Sequence, residues 1–136
     1  MSSSMVPACR LVRAESTFDG KQGFRYFEGI AKETVGSSGI CMHLLTIPPG
    51  GRAKAHKHEH HETAIYVLEG EAKMWFGEKL EQVMEVKEGD LVYIPANVPH
   101  LPTNPTGKPT RAVIARTDPN EQESVVLLPE LDALVP

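Results

Sequence analysis

Gly50-Gly51-Arg52-Ala53-Lys54-Ala55-His56-Lys57-His58-Glu59-His60-His61-Glu62, running on through Tyr66-Val67-Leu68-Glu69 to Gly70, is the stretch on which the fold turns. Four of the six histidines stand within the six positions 56–61. In an extended strand successive side chains alternate between faces, so positions i, i+2 and i+6 share one face. His56, His58 and Glu62 then converge while Lys57 and Glu59 point away. Two imidazoles and a carboxylate are donors suited to a divalent transition metal. The plain alternative is a solvated loop that happens to be rich in histidine.

A second constellation downstream weighs against that alternative. Gly89, Pro95, Asn97, His100 and Asn104 are spaced as a strand, a tight turn and a return. Proline fixes φ at one corner, Asn97 tolerates the left-handed conformation at the next, and the chain re-enters a strand at His100. A histidine just after such a turn points in a defined direction, and His100 is the fourth candidate donor.

Turn residues recur about every ten positions, which is the pattern of an all-β chain. The expected strands are Phe24 to Ile30, Ile40 to Ile47, Thr63 to Glu69, Glu71 to Phe76, Gln82 to Val86, Asp90 to Ile94, Arg111 to Thr117 and Ser124 to Leu128. Between them stand turn-forming runs such as Gly36-Ser37-Ser38-Gly39, Pro48-Pro49-Gly50-Gly51 and Asn104-Pro105-Thr106-Gly107. Ala72, Met74 and Phe76 fall on one face of their strand, Lys73 and Trp75 on the other. No apolar i, i+3, i+4, i+7 pattern lasts three turns, so any helix is short. Eight or more such strands build a sandwich or barrel.

Composition narrows the function classes. At 136 residues the chain reads as one domain, with a flexible leader over 1–22, a barrel over 23–130 and a tail over 131–136. Its 14 lysines and arginines against 18 aspartates and glutamates leave no basic surface suited to a phosphate backbone, so nucleic acid is not an expected partner. No run of about 18 apolar residues offers a membrane span. The opening Met1-Ser2-Ser3-Ser4-Met5 lacks the charged and apolar regions of a secretion signal, and the expected location is cytoplasmic. Cys9 and Cys41 are too few for a disulfide framework and form no C-x-x-C pair; Cys41 reads as a buried apolar filler. His58-Glu59-His60-His61-Glu62 lacks the second histidine, four positions after the first, that a His-Glu-x-x-His zinc protease requires. There is no Gly-x-Ser-x-Gly elbow, no Gly-x-Gly-x-x-Gly turn and no Walker loop.

The two constellations resemble the cupin superfamily, whose first motif runs glycine, five residues, His-x-His, three or four residues, Glu, six residues, Gly. Its second runs glycine, five residues, Pro-x-Gly, two residues, His, three residues, Asn. Here Gly50, His56, His58, Glu62 and Gly70 match the first, and Gly89, Pro95, His100 and Asn104 the second. Asn97 stands where glycine is usual. Seven residues rather than six separate Glu62 from Gly70, which requires a one-residue bulge; if that bulge precedes residue 62, Thr63 or His61 takes the carboxylate's place. The resemblance implies a double-stranded β-helix, or jelly-roll β-barrel, usually homodimeric. It also implies that His56, His58, Glu62 and His100 bind Fe, Mn, Ni, Zn or Cu in the barrel mouth.

Such a site leaves open positions on an octahedral ion for substrate oxygens, where the metal acts as a Lewis acid. The expected function is therefore a metal-dependent enzyme on a small oxygenated metabolite, of dioxygenase or of isomerase or lyase type. No catalytic acid or base is assigned. The rival from another class is a cupin that binds a metabolite or metal and turns nothing over, because one fold hosts many functions. Among the remaining residues, His60 is a weaker candidate for the site, His61 is expected to face solvent, and His43, Tyr66 and Trp75 read as core or pocket wall. The apolar run Val125 to Leu128 is expected to be an edge strand that pairs with a partner subunit.

Overall fold

A computed structural model describes residues 7–13, 18–19, 25–120 and 125–136, and for 18–19 and 25–28 the backbone alone. Eleven strands and two short helices are present among them: β1 (Phe18–Asp19), β2 (Arg25–Ile30), α1 (Lys32–Val35), β3 (Cys41–Ile47), β4 (His56–His58), β5 (Thr63–Glu69), β6 (Glu71–Phe76), β7 (Gln82–Lys87), β8 (Leu91–Ile94), β9 (His100–Thr103), β10 (Thr110–Arg116), β11 (Val125–Leu127) and α2 (Pro129–Asp132). They form two antiparallel sheets, in the order β1-β2-β3-β10-β5-β8 and β11-β4-β9-β6-β7. From β3 onward the chain passes between the sheets at almost every connection, which is the jelly-roll barrel that the motifs imply. Phe24 and Ser124, expected at strand ends, lie outside the described residues, as do 1–6.

Strict alternation explains which face each strand buries. On β3, Cys41, His43, Leu45 and Ile47 are buried while Met42 and Thr46 are exposed. Its partner β10 buries Thr110, Ala112, Ile114 and Arg116, with Ala112 opposite Leu45 and Ile114 opposite His43. Leu45, Ile47, Ala53 and Ile114 make one core cluster, and Met74, Val92 and Ile94 another across the barrel. Ile65 packs against both, so the two sheets close on one interior.

A separate apolar cluster covers the outside of the five-stranded sheet. Ala55, Leu80, Leu101, Leu131 and Val135 are buried together, with Trp75 and Leu128 against them. Arg52 fixes this arrangement by donating to the carbonyls of Val135 (3.1 Å) and Asp132 (2.7 Å), and the Asp132 carboxylate accepts from the Ala55 amide at 2.6 Å. Trp75 thus belongs to this outer core and not to the barrel mouth, whereas Tyr66 is exposed.

Two turns carry the positional signals read from the sequence. Asn97 adopts φ 66° as expected of its turn, and its amide donates to the His58 carbonyl at 2.7 Å, tying the second motif to the first. Gly70 joins β5 to β6 at φ +88°, where a Cβ would stand 2.7 Å from the Pro109 carbonyl oxygen, closer than any side chain tolerates. Asn104 is structural. Its buried amide donates to the carbonyls of Ile47, Pro48 and Lys108 and accepts from Thr106, so the loop before β10 is held by one side chain.

Candidate metal centre

Three histidines from two adjacent strands of the five-stranded sheet meet inside the barrel. β4 carries His56 and His58 on its inward face, and β9 carries His100 directly opposite His56 in the register. One ligating nitrogen from each lies within 4.8 Å of the others. The ring centroids of His56 and His100 are 4.3 Å apart, those of His56 and His58 5.3 Å, and those of His58 and His100 5.5 Å. All three side chains are buried.

Backbone carbonyls set the orientation of two of the rings. His56 Nδ1 lies 2.7 Å from the Lys54 carbonyl oxygen and His100 Nδ1 lies 2.9 Å from that of Val98. A carbonyl only accepts, so both Nδ1 atoms carry the proton and both Nε2 atoms present a lone pair. This is the support that metal-ligating histidines typically receive. Both nitrogens of His58 are buried without a hydrogen-bond partner among the described residues. Buried polar atoms are rarely left so, and a cation seated among the three rings would satisfy one of the two; the donor set therefore fits a divalent transition metal.

Electrostatics favour the neutral, ligating form of every ring. Burial holds His56 and His58 well below the usual imidazole range, and the Arg116 guanidinium adds to the effect. Burial lowers His100 to about 4 and His43 to about 2, again with Arg116 contributing. Arg116 itself is buried, donates from Nε to Thr63 Oγ1 at 3.3 Å, and has Nη1 3.5 Å from His43 Nε2. The cavity lined by His56, His100, Thr63 and Arg116 has otherwise mainly aliphatic walls, among them Leu45, Ile47, Val67 and Ile94.

Glu62 is not brought to this cluster. It is exposed, and its Oε1 accepts from the Tyr93 hydroxyl at 2.7 Å on the outside of the barrel. The expected bulge is present, as a register shift between Val67 and Glu69 opposite Arg111 and Ala112. A bend at Glu59 and His60 then changes the phase: even positions face inward on β4, whereas His61, Thr63 and Val67 are buried and Glu62, Ala64 and Tyr66 exposed. His60 is exposed as well. His61, expected to face solvent, is instead buried, with its ring centroid 4.7 Å from that of His58 and Nδ1 3.3 Å from the Asp118 carboxylate. Arg116 carried no signal in the sequence, because only the register of β10 against β3 and β5 turns it inward.

Residues 43–115, more than half of the chain, match the cupin domain family. The chain belongs to the cupins. An uncharacterised protein of Methanocaldococcus jannaschii, MJ1618, is 32% identical over 60% of this chain and 63% of its own length. The quercetin 2,3-dioxygenase of Bacillus subtilis is 38% identical over 39% of this cupin and 15% of that enzyme. This cupin therefore spans less than two thirds of either relative. Among solved structures, the oxalate decarboxylase of Bacillus subtilis, a protein with Mn(II) centres, superposes with a TM-score of 0.71 at 19% identity, covering 90% of this chain and 32% of that one. At that identity the likeness is one of fold.

Proposed function

We propose that this cupin is a metal-dependent enzyme that acts on a small oxygenated metabolite, with oxygenase chemistry favoured over isomerisation or elimination. The observation that carries the reading is the convergence of His56, His58 and His100 beside a cavity that also holds Arg116 and Thr63. His56, His58 and His100 hold the ion through nitrogens that burial keeps unprotonated. A bound ion supplies Lewis acidity there, and oxygen chemistry if it is Fe, Mn or Cu. The aliphatic walls exclude water and so strengthen every charge interaction within. Arg116 and Thr63 offer a cationic and a hydroxyl contact to oxygen atoms of a substrate, which suits an enediol, a hydroxy acid or a keto acid. The similarity to a dioxygenase over part of the chain supports the oxygenase arm.

Elemental analysis of the purified protein, followed by oxygen uptake with a panel of diols and keto acids, tests this. The expected result is about one Fe, Mn or Cu per chain and uptake that depends on one substrate class. Stoichiometric metal with no turnover of any panel member would instead favour the non-catalytic binder.

The outer face of the six-stranded sheet exposes Met42, Tyr66, Leu91 and Tyr93 together, Leu91 at 80% exposure. The registers that set Ala64 beside Tyr93 and Tyr66 beside Leu91 make this one surface. Patches of this kind mark interaction sites, and the reading is a homodimer through this sheet, in addition to the edge at β11. Sedimentation equilibrium at micromolar concentration is expected to give twice the chain mass; a single-chain mass overturns it. Cys9 and Cys41 form no disulfide, which accords with the cytoplasm, and among the described residues no helix is long and apolar enough to cross a membrane.

A further inference from the structure

We infer that His61, and not Glu62, completes the protein ligands of the metal, with Asp118 as the residue that positions it. This rests on the metal reading above and replaces a carboxylate donor with a fourth imidazole. Three observations carry it. The bend at Glu59 and His60 turns position 61 into the barrel and position 62 out of it, and Glu62 is engaged by Tyr93 on the outer surface. His61 is buried with its ring beside that of His58, at 4.7 Å between centroids and 35° between planes. Finally, His61 Nδ1 faces an oxygen acceptor, the Asp118 carboxylate, as His56 and His100 each face a carbonyl. Each of the three rings has Nδ1 turned to an oxygen, which directs Nε2 as the ligating atom.

His61 stands outside the group of three whose nitrogens lie within 4.8 Å, so a side-chain adjustment accompanies its entry. Four neutral imidazoles leave the full charge on a divalent ion, whereas a carboxylate would neutralise part of it. With Arg116 close by, the centre then selects for an anionic oxygen on its substrate.

The test uses the full chain loaded with Cu(II), read by nitrogen hyperfine structure in electron paramagnetic resonance and by chelator competition for affinity. His61→Ala is expected to weaken binding by at least about tenfold and to remove one coupled nitrogen, while Glu62→Gln matches the parent in both. Asp118→Asn, which keeps the histidine, is expected to weaken binding about tenfold with the nitrogen count retained, and it decides the matter if His61→Ala does not fold. Unchanged affinity and hyperfine structure in His61→Ala, or weakening by Glu62→Gln, overturns the inference. If the parent protein binds no ion, the metal reading itself fails; if it binds one and His61→Ala is silent, only the fourth ligand is lost.

Discussion

Replacing His56 and His58 together with alanine is expected to leave a folded protein that no longer retains metal through dialysis. The two side chains supply two of the three converged nitrogens, and His100 alone cannot compensate. Loss of a single supporting contact behind a ligand lowers metal affinity by about 10- to 100-fold, so loss of two ligands exceeds about a thousandfold. A second readout follows from mass action. At about 1,000 times the dissociation constant, a ligand that binds only the native state stabilises it by about 4 kcal/mol. Added metal is therefore expected to raise the melting temperature of the parent protein and to leave that of His56→Ala/His58→Ala unmoved. Circular dichroism of the metal-free variant controls for folding, because both rings are buried and their removal leaves space. A double variant that keeps one ion per chain would sink the assignment of the centre.

Acid is expected to unfold the metal-free protein well above the pH at which carboxylates titrate. His43, His56, His58 and His100 all have native pKa values pushed down by burial, His100 to about 4 and His43 to about 2. Their unfolded value is near 6.5, so below that pH the unfolded chain binds protons that the native chain refuses, and stability falls. Above about pH 7 these groups contribute no pH dependence. The loss runs from about 6.5 down to about 4 for His100, which then accepts its proton in the native state, and on down to about 2 for His43. Each neutral buried imidazole loses up to about 1.4 kcal/mol by pH 5.5, so the four together remove at most about 6 kcal/mol. That approaches the whole stability of a small domain. Urea denaturation of the metal-free protein at pH 7.5 and 5.5 measures it, and bound metal, which requires unprotonated rings, moves the loss to lower pH. Equal midpoints at the two pH values would show that these rings titrate normally in the native state.

Much of the fold could be read from residue order because the relevant signals are local. Alternation places β5 and β6 at the observed residues, and the Pro95 to Asn97 turn aims His100 without reference to anything distant. The pairing of His56 with His58 is equally local, since both sit on one three-residue strand. Glu62 and His61 show where local reasoning stops. Counting by twos through residues 59 and 60 assumes a continuous strand, but the chain bends there, and the pairing of β5 with β10 and β8 decides which parity faces inward. Arg116 is hidden for the same reason, as its inward turn depends on a register with β3 and β5 formed across the molecule. The four-residue helix α2 is too short to show a period, yet Leu131 and Val135 just inside and beyond it complete the outer core.

The placement of His100 opposite His56 has a kinetic corollary. Fragments that contain only the first motif hold two of the three converged donors, His56 and His58, because His100 reaches them only when β9 inserts between β4 and β6. Contacts between such remote segments form slowly, since the intervening loop entropy is lost before they reward it. An ion held by the three rings would thus be captured late in the life of a newly made chain, as a seal on finished barrels rather than as a template for assembling them.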